Sequence, residues 1–97
     1  MEVMNFEYPV SGKVPHRSHV GVVGSGDLEV LLEPSTKGKA TVMIRTSVDG
    51  FGEYWKAVMD RFFAKYKGAA NIEINDFGAT PGTVMLRLEQ AVEVSQS

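Results

Sequence analysis

Among the side chains able to do chemistry, Ser25 stands apart by its setting. It sits in Val20-Gly21-Val22-Val23-Gly24-Ser25-Gly26-Asp27-Leu28-Glu29-Val30-Leu31-Leu32-Glu33-Pro34, at the centre of a four-residue turn between two apolar runs. Glycines on both sides leave it no neighbouring Cβ, so its hydroxyl projects from a tip where something large can reach it or remain attached. Gly24, Gly26 and Asp27 are equally the residues an ordinary hairpin turn requires, with Ser25 filling a polar slot, and the segment alone leaves both readings open. The other candidates are few. His16 and His19 are the only histidines. An extended run of six residues keeps His19 roughly 20 Å from Ser25, so no Ser-His-acid relay assembles. No nearby carboxylate or thiol completes a metal site around the two rings, and both are expected at the surface. Gly21 to Gly26 superficially matches a dinucleotide fingerprint but leads into a strand, without the helix start that holds a pyrophosphate. Asp76-Phe77-Gly78 copies a kinase tripeptide in a chain far too short for a kinase. A serine with no base to activate it fits a residue modified by another enzyme better than one that does chemistry itself.

The elements that must position this turn follow from periodicity. Met1 to Arg17 contains Pro9, Gly12 and Pro15 and reads as a flexible lead-in arm. Strands are expected over Ser18–Val23, Leu28–Glu33 and Ala40–Thr46, where Leu28, Val30 and Leu32 alternate with Glu29 and, less cleanly, Leu31, and Val42 and Ile44 alternate with Thr41 and Arg45. Phe51, Tyr54, Trp55, Val58, Met59, Phe62, Phe63 and Tyr66 recur at helical spacing, with Lys56, Asp60, Arg61 and Lys65 on the opposite side. Ser47 or Asp49 is expected to cap this helix, Lys65 and Lys67 to oppose its negative end, and Gly68 to stop it. Ala70, Ile72 and Ile74 predict a fourth strand, Asp76–Gly82 a turn, and Val84, Leu86 and Leu88 a fifth strand, although Leu88–Val94 also favours helix. The expected fold class is α+β: a two-layer, mainly antiparallel sheet of about five strands in the order β-β-β-α-β-β, covered by one amphipathic helix.

Composition narrows the function classes. Ninety-seven residues make a single domain, 1–97. With no cysteine, disulfides, thiolate metal sites and a cysteine nucleophile are excluded. A net charge of -2 argues against a nucleic-acid partner, and no apolar run approaches the ~20 residues of a membrane span. Met1 to Pro9 carries Glu2 and Glu7 and no basic stretch, unlike a secretory leader, so a cytoplasmic location is expected.

Three segments together carry a resemblance. The run Val20–Pro34, then Thr46-Ser47-Val48-Asp49-Gly50, then Asp76-Phe77-Gly78-Ala79-Thr80-Pro81-Gly82 with Arg87-Leu88-Glu89-Gln90, closely resemble the acyl carrier (delta) subunit family of bacterial malonate decarboxylase. The similarity spans about Val20 to Gln90. The citrate lyase carrier subunit also presents Ser-Gly-Asp at its hairpin and is the nearest competitor, but Leu-Glu-Val-Leu-Leu-Glu-Pro and Asp-Phe-Gly-Ala-Thr-Pro-Gly favour the malonate enzyme. The resemblance implies a non-catalytic carrier. In it Ser25 holds 2'-(5''-phosphoribosyl)-3'-dephospho-CoA through a phosphodiester, installed by a dedicated prosthetic-group transferase. The thiol of that group would hold acetyl and malonyl units, exchanged and decarboxylated by separate acyl-transferase and decarboxylase subunits. Gly24, Gly26 and Asp27 would support the turn. The absence of cysteine accords with a thiol supplied from outside, and a fold with several strands separates this chain from four-helix carriers. Outside the carrier class, the alternatives are an α+β binding or regulatory module, and a structural subunit docking through a mixed face with Leu31, Met43 and Met85.

Overall fold

The computed structural model describes residues Met1–Ser97 and contains five strands and two helices. In chain order these are β1 (Glu2–Pro9), β2 (Ser18–Gly21), β3 (Leu28–Pro34), β4 (Lys39–Thr46), α1 (Gly52–Lys65), β5 (Ala70–Asp76) and α2 (Pro81–Gln96). The strands form one sheet in the order β1-β4-β5-β3-β2. The class is α+β as the residue patterns predict, with two differences in what fills it.

The first difference is at the amino end. Glu2–Pro9, expected within a lead-in arm, pairs antiparallel with β4 along its whole length, from Glu2 opposite Thr46 to Pro9 opposite Lys39. Met4, Phe6 and Tyr8 turn inward and are only half-buried because the strand lies at the sheet edge, where Pro9 is also tolerated. The Tyr8 ring stacks on Phe63 at 4.4 Å, and its hydroxyl donates to Asp60 Oδ1 at 2.7 Å, fastening β1 to α1. Beyond the strand, Gly12 exchanges backbone hydrogen bonds with Lys67 and Ala69, and Val14 is buried.

The second difference is α2, where a fifth strand was expected. Val84, Leu86 and Leu88 alternate, but Val84, Leu88, Ala91 and Ser95 also recur at helical spacing, and these four are buried against the sheet while Leu86 is exposed. The start decides between the two periods. Thr80 is extended and accepts the Thr83 N–H on its Oγ1 at 3.2 Å, and Pro81 at the first helical position has no N–H to leave unpaired.

Most of the aromatic stripe lies where its spacing puts it; Phe51, expected within it, precedes the helix and is exposed. Trp55, Met59, Phe62 and Phe63 are buried against the sheet, and Lys56, Asp60, Arg61 and Lys65 are exposed. The ends of α1 differ from expectation. It starts after Phe51 with no side-chain cap, so neither Ser47 nor Asp49 serves, and it ends at Lys65, before Gly68. Lys67 Nζ reaches back to the Phe63 carbonyl at 3.0 Å, meeting the negative end as its charge predicts. Because α1 carries the chain back across the sheet, β4 and β5 run parallel, while the other three pairings are antiparallel.

Both helices cover one sheet face. Leu28, Val30, Leu32, Val42, Ile44, Ile72 and Ile74 point into the single core between them. The other face is open and polar. Across it Arg45 bonds Glu73 and Asn75, Asn75 bonds Glu29, and Thr41 bonds Asn71. Leu31 and Met43 belong to this open face, but Met85 lies on α2 packed against the core, so the three do not share one docking face.

Candidate functional site

The pleated alternation of β2 and β3 brings the chain to a tip at Val22–Asp27. The ladder between the two strands ends at Gly21 opposite Glu29, two residues sooner than the apolar run suggests. Val22 and Val23 therefore leave the sheet, and each keeps 60% of its surface exposed beside the turn. The Asp27 N–H donates to the Gly24 carbonyl at 3.1 Å, closing a turn with Ser25 and Gly26 at its centre. Gly26 has φ +77° and Ser25 does not have a positive φ, the order of φ signs found in a type II turn. Ser25 is exposed and its hydroxyl bonds to no protein group.

Each supporting residue has a distinct part. Gly26 supplies the left-handed backbone conformation. Gly24 supplies the acceptor carbonyl but no unusual torsion, and a Cβ on it would meet only a Val22 methyl at 3.6 Å. The second special backbone position is Gly21, whose φ is +80° and whose Cβ, if present, would lie 2.0 Å from the Leu28 carbonyl oxygen. This close approach lets the strand bend away from β3 and sets where the tip begins. Gly21→Ala is expected to lower unfolding free energy by roughly 1–3 kcal/mol from backbone strain alone, whereas Gly24→Ala stays within about 0.5 kcal/mol. Urea titration of the two variants side by side checks the contrast.

Asp27 holds the tip to the rest of the fold. Its carboxylate accepts from its neighbour Leu28 N–H at 2.7 Å and from Arg87 Nε and Nη2 of α2 at 3.1 and 2.8 Å. The Arg87 guanidinium first, and the Leu28 N–H after it, hold this carboxyl below the usual carboxylate range, so the pair is fully formed at neutral pH. Its backbone is engaged as well. The Asp27 carbonyl accepts from Phe77 N–H at 3.0 Å, and Gly26 N–H donates to the Phe77 carbonyl at 2.8 Å, extending the β3–β5 ladder by one step. The loop supplying Phe77 is itself braced by buried Asp76, which accepts from Ala79 N–H and Thr46 Oγ1 at 3.1 and 2.8 Å.

The structure thus brings Gly24, Ser25, Gly26 and Asp27 together as the sequence places them, and adds Gly21, Phe77 and Arg87. In the sequence Arg87 is legible only as part of the Arg87-Leu88-Glu89-Gln90 segment, with no link to the turn. His16 and His19 are exposed. His19 Nε2 sits 2.8 Å from Glu29 Oε2, a carboxylate that the ladder brings alongside although it is ten residues away in sequence. This pair lies on the open sheet face, and no group of three metal-ligating side chains forms there or elsewhere. No helix is long and apolar enough to cross a membrane.

Comparison with known proteins agrees with this fold. The family of the malonate decarboxylase delta subunit (MdcD) matches residues 15–95. Malonate decarboxylase acyl carrier proteins of Azotobacter vinelandii, Pseudomonas fluorescens and Pseudomonas aeruginosa are each 51% identical over 94 residues, covering 96% of this chain and 95% of theirs. A chain in the crystal structure of a Pseudomonas malonate decarboxylase hetero-tetramer in complex with malonate superposes with a TM-score of 0.91 at 48% identity, covering 97% of this chain and 98% of that one. A family match over residues 15–95, 51% identity across 96% of the chain and a shared two-layer fold place the chain in the malonate decarboxylase acyl carrier (delta subunit) family.

Proposed function

We propose that Ser25 is the covalent attachment point of the carrier and that 2'-(5''-phosphoribosyl)-3'-dephospho-CoA is the group it bears. The observation that carries this reading is an exposed hydroxyl, free of protein partners, on a turn pinned from below. The surroundings fit a bulky substituent. A Cβ on Gly26 would meet nothing within 4 Å, so the approach to Ser25 is open on that side. Ser25 Oγ would form the phosphodiester, with Gly26 shaping the turn and Asp27 anchoring it. The group supplies the thiol this cysteine-free chain lacks, able to hold an acyl unit as a thioester whose carbonyl stabilises the carbanion left by loss of carbon dioxide.

The chain's own residues do no bond chemistry in this reading. No general base stands at the tip, since His19 bonds Glu29 across the open face and the Asp27 carboxylate is committed to Arg87 and Leu28. The carrier instead presents one tethered group to separate acyl-transferase and decarboxylase subunits, raising its effective concentration at each. Exposed Val22 and Val23 offer those subunits, and the prosthetic-group transferase, apolar surface beside the attachment point. A working free thiol suits the reducing cytoplasm.

Purification from cells expressing the partner and transferase genes tests this. Intact mass should exceed the chain mass by the prosthetic group, with the excess confined to the peptide containing Ser25. After hydroxylamine has cleaved any acyl thioester, a thiol reagent should label the denatured modified protein at about one equivalent, and the unmodified chain at none, because the reagent captures a free thiolate. Modified protein that takes up no reagent would refute the carrier reading.

A further inference from the structure

We propose that Arg87 is a positioning residue for the loading of Ser25: its two-pronged contact with Asp27 holds the hairpin tip in the one arrangement in which the serine hydroxyl accepts the transferred group. This rests on Ser25 being the attachment point. The geometry supporting it is local. Ser25 makes no contact that would fix its own position, so its direction is inherited from the turn. The turn is bound to the fold through Gly26 and Asp27, and Asp27 uses its N–H, its carbonyl and both carboxylate oxygens in doing so. Of these bonds, only those to Arg87 reach α2; the others stay within the hairpin or go to the Phe77 loop.

The guanidinium is itself fixed. Its Nε and Nη2 face Asp27, and Nη1 donates to Gln90 Oε1 at 2.9 Å, one helical turn further on. Asp27 and Arg87 keep 19% and 26% of their side-chain surface exposed, shielded enough for a planar pair to persist and open enough to lie beside an accessible serine. A transferase must align the serine Oγ with a phosphorus of an activated polyphosphate donor, so that the new O–P bond forms as the P–O bond to the donor's phosphate leaving group breaks and the serine proton passes to a base of the transferase. A tip already held in place makes that alignment without the ordering cost a loose loop would add. Arginine suits the task where lysine does not, because the fork meets both carboxylate oxygens at once.

The test uses the full chain as Arg87→Gln and Arg87→Lys, with the transferase and its prosthetic-group donor. In Arg87→Gln, amide hydrogen exchange at Gly26 and Asp27 should rise at least tenfold, while Val30 and Ile74 in the centre of the sheet exchange as in the wild type. The kcat for loading should fall at least tenfold with KM for the carrier little changed. Arg87→Lys should recover only part of that loss. Unchanged exchange at the tip, or faster exchange with unchanged loading, overturns the positioning role. A loss confined to KM overturns it too, assigning Arg87 to direct contact with the transferase, as does full recovery by lysine, which assigns the effect to charge alone. A wild-type chain that gains no mass at Ser25 would instead overturn the attachment site, and the positioning role with it.

Discussion

Ser25→Ala should leave the fold intact and abolish covalent loading altogether. The hydroxyl makes no bond to the protein, and the turn around it is set by the positive φ of Gly26 and by the hydrogen bonds of Asp27. Stability should therefore move by no more than about 0.5 kcal/mol. Chemistry should respond in full. No other serine lies in Val22–Asp27, and the nearest in sequence, Ser18, is buried with its hydroxyl donating to the Ala91 carbonyl at 2.8 Å. The added mass should vanish, and malonate turnover by the reconstituted complex should vanish with it. A Ser25→Ala chain that is still modified and active would show that attachment lies elsewhere.

Phe62→Ala should have the largest effect on folding. Phe62 is 8% exposed and its ring packs 4.9 Å from Phe63 and 5.1 Å from Tyr66, within the core shared by α1 and the sheet. Truncation removes apolar burial and leaves a void that neighbours on a helix and a sheet can close only in part, at a cost of roughly 3–5 kcal/mol. Domains of this size hold about 5–15 kcal/mol in total, so the variant should unfold at much lower denaturant. Trp55, 3% exposed on the same stripe, provides the fluorescence signal for the titration. An unchanged midpoint would mean that the stripe does not carry the core.

Where a single local rule operated, the fold was legible. Ile72 and Ile74 alternate with polar residues, and Leu28, Val30 and Leu32 with Glu29 and, less cleanly, Leu31, and both sets form central strands; the three- and four-residue spacing from Trp55 to Phe63 forms α1. Where two rules competed, periodicity alone was insufficient. Val84, Leu86 and Leu88 satisfy a strand while Val84, Leu88, Ala91 and Ser95 satisfy a helix, and the Thr80-Pro81 start, read only as a turn, was the deciding signal. Met4, Phe6 and Tyr8 do alternate with Asn5 and Glu7, but an edge strand buries only half of one face, so its pattern is weak and Pro9 further disguised it.

The division at the site has the same origin. Ser25 between two glycines, the turn-forming Asp27 and the absence of cysteine are properties of adjacent residues and of composition, and the sequence by itself determined them. The tertiary structure decided what each supporting residue does. It set Arg87 against Asp27 across 60 positions, laid Phe77 alongside Gly26 and Asp27, and made Gly21 indispensable by bringing the Leu28 carbonyl to where a Cβ would stand. Local propensity acts over a few residues. The direction of an exposed hydroxyl depends on contacts that exist only once a helix expected to be a strand has packed beside the hairpin.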